Sequence, residues 1–377
     1  MSSKSPSTDR FMKGLDLSQF FYEEAVRPLL DTEYPDLAYS AGHLGAGSDV
    51  LGFDTEQSRD HDWGPKLLIF LGEKDHEKYH ESIDTFLGHN LPAEIRGFPI
   101  NFGIHGDDGP IFMQFSEDRP LNHEVKIVTI RDYFERYLTP NPLEKMSPID
   151  WVVIPEQRLR SIAHGRIFHD GLEQLQPIME KLSYYPNDVW LYILSTQWRR
   201  IAQEEHFMGR CGQVGDELGS RVIGSRLVYD IMKLCFVMEK QYAPYIKWFG
   251  TAFSKLKSAS ILTPILERVF EATSWEERQE HLVRAYEIVA GMHNDLGITE
   301  PMKAKVSNFH NRPFLVIGAD DFAEAIYAAI QDEEVLSLSK YLGGVDQYVN
   351  STDVLSKPDR YPKLRNMYSS LSLEYRV

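Results

Sequence analysis

The chain has 377 residues, 42% of them hydrophobic and 12% aromatic, with 25% charged residues and a formal net charge of −16. This composition excludes a disordered or fibrous chain and leaves room for two or three globular units with continuous cores. The acidic balance argues against a long polynucleotide substrate, because the most basic stretches, Trp198-Arg199-Arg200 and Lys247 to Lys257, are short and mixed with apolar residues, as on helix surfaces.

In chain order, residues 1–14 read as a polar tail with no apolar core, so neither a signal peptide nor an anchor is expected, and cytoplasm is the default location. Leu17 to Leu30 carries apolar residues at helical spacing (Leu17, Phe20, Phe21, Ala25, Leu29). Leu37 to Ala41 and Lys66 to Leu71 read as strands that frame a glycine-studded loop. His76 to Leu87 is an amphipathic helix; Phe98 to Phe102 and Ile111 to Phe115 are extended runs on either side of a Gly106 to Gly109 turn. Glu124 to Thr129 alternates with period two, which places Val125 and Ile127 inward and Glu124 and Lys126 on a polar face. Residues 15–145 therefore read as a mixed α/β domain.

From residue 146 to 377 the pattern changes to long helical periods: Asp188 to Phe207, Glu217 to Lys240, Pro264 to Thr273, Glu276 to Leu296 and Asp320 to Gln331. Ser274 and Glu277 fit a capping box, and Gly297 is placed to end that helix. The two cysteines, Cys211 and Cys235, cannot build a disulfide framework and point to a reducing compartment. The fold class is α+β: an N-terminal mixed sheet with helices, followed by a mostly helical domain.

The segment from Gly47-Ser48 to Asp60-His61-Asp62-Trp63 carries the chemistry. On an extended backbone, side chains two apart point the same way, so Asp60 and Asp62 would project together from a strand start, about 6 to 7 Å apart at Cα. Two carboxylates can share Mg²⁺, which favours hard oxygen ligands completed by phosphates and water. Gly47-Ser48 lets backbone amides and a hydroxyl approach a triphosphate, because glycine presents no Cβ. The plainer alternatives are a solvated pair of aspartates and an ordinary turn.

Gly-Ser, eleven residues, then Asp-x-Asp between two apolar strands resembles the signature of the polymerase-beta-like nucleotidyltransferase superfamily. Gly-Ser-Asp-Val-Leu-Gly-Phe-Asp-Thr, Ser-Arg-Asp-His-Asp-Trp-Gly-Pro and Tyr-Ala-Pro-Tyr-Ile-Lys-Trp-Phe-Gly also resemble a bacterial and fungal family of nucleotidyltransferase-like proteins, a domain of unknown function. The resemblance implies transfer of a nucleoside monophosphate from a nucleoside triphosphate, ATP first among the candidates, to a hydroxyl of a small molecule or protein. It implies Asp60 and Asp62 as ligands of Mg²⁺, two ions in the superfamily pattern, and a third carboxylate from a neighbouring strand: Glu124, with Glu94 in reserve. In many relatives a helix follows Gly-Ser directly; Gly52 and Asp54 argue against it here.

Lys247, in the aromatic run from Tyr242 to Phe249, is a candidate phosphate partner, against a packing role for that run. Arg59 is a further phosphate candidate, against pairing with a carboxylate. Arg210, Asp216, Glu217, Ser220, Arg221 and Arg226 read as an internal ion-pair network sooner than as a cleft wall with Glu217 or Glu204 as base. His164, His169 and Asp170 lie on a probable strand with the histidines on opposite faces, against a shared zinc. His293 reads as packing. A nucleotide-binding regulatory or interaction protein without turnover is the competing class, and a toxin-like transferase acting on tRNA would need a basic cleft.

Overall fold

The computed structural model describes residues 11–106 and 109–368; the polar segment through residue 10 and the middle of the Gly106 to Gly109 turn lie outside the described residues. The chain divides into two compact units, residues 1–145 with 158–183, and residues 146–157 with 184–377. Residues 158–183, expected in the helical part, thus belong to the sheet-bearing unit. The fold class is α+β, with a mixed sheet and many helices.

The first unit is built on four strands: β1 (Tyr39–His43), β2 (Lys66–Leu71), β3 (Glu124–Thr129) and β4 (Arg166–Asp170), ordered β3-β2-β1-β4. β2 pairs in parallel with β3, and β1 is antiparallel to both β2 and β4. Gly42 makes the last pairing possible, since a Cβ there would stand 2.7 Å from the Arg166 carbonyl oxygen. The register sorts the two faces. Leu67, Ile69 and Leu71 lie opposite Val125, Ile127 and Thr129, and with Tyr39 and Ala41 all but Thr129 join the core. Lys66 and Leu68 lie opposite Glu124 and Lys126, on the other face.

The core is closed by the helical run Gly14–Phe21, Tyr22–Val26 and Arg27–Glu33, through Leu17, Phe21, Val26 and Leu30, and by Glu73–Asn90, through Ile83 and Leu87. The leading helix is thus longer than the apolar spacing suggested, and the polar tail ends sooner, because Gly14 N–H donates to Asp54 Oδ2 at 2.8 Å. Helix Ile130–Leu138 follows β3, capped by Thr129, whose hydroxyl accepts from Asp132 N–H at 3.0 Å.

In the second unit, Asn187–Glu204 packs on Glu217–Met238 and Ala319–Ala328, and Trp275–Asp295 packs on Glu217–Met238 and Ala259–Glu271. Ser274 accepts from Glu277 N–H at 3.3 Å, as its capping role requires, while the Glu277 carboxylate takes Thr273 N–H at 2.9 Å. Gly297, at φ +62°, ends that helix. No helix among the described residues is long and apolar enough to cross a membrane.

His293 is fully buried in this unit, edge-on to Phe322 at 5.0 Å and Trp198 at 6.0 Å, with Nε2 3.0 Å from Thr299 Oγ1 and Nδ1 without a hydrogen-bond partner. Burial pushes its imidazole down to about 4. A cationic group with a lowered folded-state pKa contributes stability that is present above its unfolded value of about 6.5 and is lost as pH falls toward 4. Denaturant unfolding of the second unit should therefore weaken by about 3 kcal/mol between pH 7 and pH 4 on this account. The His293→Phe variant should lose that share of the pH dependence; an unchanged slope would exclude the assignment.

Candidate functional site

The loop between β1 and β2 is irregular in path and tightly held. Asp49, 2% exposed, takes His43 Nε2 at 2.9 Å and Val50 N–H at 2.9 Å. Burial works to raise its carboxyl, and His43, with Lys66, outweighs this and keeps it below the ordinary range. Its side chain lies over Gly47, where a Cβ would stand 2.0 Å from Asp49 Oδ1; φ is +155° there. Asp54, 1% exposed, accepts from Gly14 N–H at 2.8 Å and Trp63 Nε1 at 3.1 Å, and Lys13 Nζ lies 3.1 Å away. Around them the backbone turns through Leu51 N–H to Gly47 O at 3.2 Å, Gly52 N–H to Asp49 O at 3.1 Å, and Phe53 and Asp54 N–H to Ser48 O at 2.8 and 3.1 Å, with Gly52 at φ +72°. No helix follows Gly47-Ser48.

The Asp60 and Asp62 geometry corrects the strand-start expectation. Asp60 ends the 3-10 turn Glu56–Asp60, and Asp62 sits at φ +51°, four residues before β2 begins. The cause is Trp63. Its ring is buried against Phe98 at 5.5 Å and tied to Asp54, which turns the chain inward just where alternation would have kept it extended. The reversed residue is held by the short strand Ile111–Met113, which pairs antiparallel with Phe102–Ile104: Asp62 N–H donates to Ile111 O at 2.8 Å, and its Oδ1 accepts from Ile111 N–H at 3.4 Å. Aspartate tolerates the left-handed region better than most residues. The Asp60 carboxylate, 66% exposed, lies 2.9 Å from His61 Nδ1.

A cavity of about 450 Å³ opens on the charged face of the sheet. Gly45 to Gly47 form part of its wall, Leu68, Ile111, Tyr133 and Tyr137 give it apolar surface, and Asp62, Lys66, Glu124 and Lys126 supply charge. Lys66 Nζ bonds the Asp62 carbonyl oxygen, and Lys126 Nζ lies 3.5 Å from Glu124 Oε2. The glycine loop is pinned at its back: Tyr133 O–H donates to Leu44 O at 3.0 Å, Gly45 N–H to Ser161 O at 3.1 Å, and Tyr137 Oη lies 2.6 Å from Ser161 Oγ. The Tyr133 and Tyr137 rings stack at 5.7 Å and 8°.

Gly47, Asp62 and Glu124 therefore meet at one cavity, while Asp60 and Ser48 are not among its lining residues. Glu94 begins a two-residue ladder with Pro99 at its end, and Arg59 lies over the Phe98 ring at 5.1 Å. Among the described residues no three His, Cys, Asp or Glu side chains converge as a metal site. Asp62 and Glu124 are the two carboxylates on this cavity, hard oxygen donors of the kind Mg²⁺ takes together with phosphate oxygens and water. Lys66, Tyr133 and Tyr137 were not singled out from sequence, although Lys66 opens the β2 run and the tyrosines stand four apart.

The remaining candidates do not line this cavity. Lys247 belongs to the second unit, its Nζ over the Trp248 ring at 5.0 Å. Its segment docks through Ala243 N–H to Glu156 Oε2 at 2.7 Å, and the same carboxylate pairs with buried Lys233 at 2.6 Å. Glu217 and Ser220 are gathered by buried Arg278, at 2.6 and 2.8 Å, Arg221 pairs with Glu217, and Arg226 pairs with Glu204. Asp216 caps its helix through Gly219 N–H at 2.8 Å. In the first unit His169 packs on Tyr39 at 4.9 Å, His164 Nδ1 lies 3.2 Å from Arg160 O, and Asp170 takes Ser40 O–H at 2.6 Å.

Removing the Asp54 carboxylate would strand Trp63 Nε1 and Gly14 N–H in the core. Asp54→Ala should cost about 3 kcal/mol in urea unfolding, whereas a loss below about 0.5 kcal/mol, the level of an ordinary surface change, would refute the clamp.

Residues 151–249 match a protein family described as a domain of unknown function, DUF4037. No curated protein matches the chain. Among solved structures, a nucleotidyltransferase-like protein from Exiguobacterium sibiricum 255-15 is similar at 10% identity and a TM-score of 0.31, over 76% of this chain and 82% of that one.

Proposed function

We propose that the first unit binds a nucleoside triphosphate with Mg²⁺ in the sheet-face cavity and transfers its nucleoside monophosphate to a hydroxyl of a small molecule or protein, with ATP the first donor to test. The observation that carries this reading is the meeting of Gly47, Asp62 and Glu124 at one cavity of about 450 Å³, a volume suited to a small-molecule ligand. They come from three separate stretches of sequence, and each was marked from sequence for the same chemistry.

In this reading Asp62 and Glu124 hold the ion, which when bound supplies charge neutralisation at the phosphates. The glycine loop lets backbone approach the phosphates without a Cβ in the way. Asp60 does not line the cavity, so it is the subordinate ligand.

A specific observation favours a second reading, a nucleotide-binding protein without turnover: among the described residues no three His, Cys, Asp or Glu side chains come together as a metal site, and His43, which also lines the cavity, is paired with Asp49. Titration of ATP, GTP, CTP and UTP with Mg²⁺ into the protein tests binding, and pyrophosphate release tests turnover. Asp62→Asn with Glu124→Gln should weaken Mg²⁺-dependent binding at least about tenfold, and Asp60→Asn should leave it within about threefold. Absence of binding by any triphosphate would end both readings, and binding without pyrophosphate release would favour the second.

A further inference from the structure

The missing helix after Gly47-Ser48 removes the usual positive helix end from the phosphate side of the cavity. Two lysines stand on that face instead. Lys66 begins β2 and Lys126 lies in β3; the parallel register places Lys66 opposite Glu124 and Leu68 opposite Lys126, so both lysines project to the cavity side and both line it. Lys66 Nζ is held by a carbonyl oxygen, that of Asp62, and its charge also acts on the buried Asp49 carboxylate, which His43 already meets directly. Lys126 is 67% exposed on its side chain, and its 3.5 Å approach to Glu124 is a solvent-screened pair.

We propose that Lys66 and Lys126 form a polyphosphate subsite that holds the anion without a metal ion, with Gly45 to Gly47 as its backbone wall. It deepens the nucleotide reading given above and concerns the same cavity, but assigns the anchoring of the phosphates to strand lysines. An ammonium is a point-charge partner for phosphate that needs no fixed fork geometry, which suits two side chains reaching from adjacent strands. Asp62 and Glu124 then repel the bare anion, and attract it only through a cation. The carboxylates and the lysines thus make opposite contributions when metal is withheld.

That opposition supplies the test. Inorganic tripolyphosphate is titrated into the protein in EDTA at low salt, and ATP with Mg²⁺ is titrated in parallel. Wild type should bind tripolyphosphate without metal, and Lys66→Met and Lys126→Met should each weaken it at least about fivefold, and together at least about twentyfold. Asp62→Asn with Glu124→Gln should bind metal-free tripolyphosphate as tightly as wild type or more tightly, while losing affinity for ATP with Mg²⁺. This variant also reports folding, because it retains the lysines. If ATP with Mg²⁺ binds and tripolyphosphate in EDTA does not, or if the lysine variants bind it at wild-type affinity, the subsite is overturned and the nucleotide reading stands. If tripolyphosphate binds through the lysines and no nucleotide binds, the nucleotide reading falls and the subsite stands.

Discussion

Two carboxylates taken out of water, Asp49 and Asp54, hold the first unit's loop in place. A buried charge is tolerated only when its oxygens are met, and here they are met by His43, Val50 N–H, Gly14 N–H, Trp63 and Lys13. Asp49 closes the loop locally, onto the end of β1 through His43 and onto its own neighbour Val50, whereas Asp54 ties the loop to the start of the leading helix at Lys13 and Gly14 and to Trp63 on the approach to β2. The stretch from residue 44 to 65 consequently has little regular structure and a defined path. The position of Gly47 at the cavity wall and the reversal at Asp62 both follow from it.

The sheet divides its two faces by parity. One face is aliphatic and sealed by two helical layers; the other carries Lys66, Glu124 and Lys126 together with Leu68, Phe70 and Val128, and bears the cavity. Opposite charges on adjacent strands lower the cost of placing either sign there, while leaving both available to a ligand. The second unit follows a different principle. Its long helices bury several charged side chains, Arg278, Lys233 and Asp230 among them, and each is met by a specific partner. Such a set specifies which helix faces meet, and so reads as internal organisation.

Much of this was legible in the sequence where periodicity alone decides. Glu124 to Thr129 alternates cleanly and is a strand with those bounds, and the long helical periods after residue 187 are helices within a few residues of their apolar spacing. Asp60 and Asp62 were misplaced because alternation presupposes an extended backbone, and the burial of Trp63, a tertiary event, bends it. Residues 158–183 were assigned to the helical part because Arg166–Asp170 gives a short, half-buried strand whose pairing with β1 is set by distant residues. Helix Ile130–Leu138 carries apolar residues four apart, Ile130, Phe134 and Leu138, and a Thr129 cap, a pattern present in the sequence itself. Lys66 and Lys126 gain meaning only through register, which joins strands separated by more than fifty residues.

The first unit is discontinuous in the chain, and this bears on how it can be made. Its sheet is completed on the β1 side only by β4, residues 166–170, after the chain has passed through residues 146–157 of the other unit. A fragment cut at residue 145 would leave β1 with an unpaired hydrogen-bonding edge, a site for pairing with other chains. During synthesis the same edge stays open for roughly 1 to 5 seconds while those residues are added, at the usual rate of about 5 to 20 residues per second. Dissection of this protein into independently folding pieces therefore has to follow the spatial unit, by circular permutation or by a linker spanning residues 146–157, and not a single cut along the sequence.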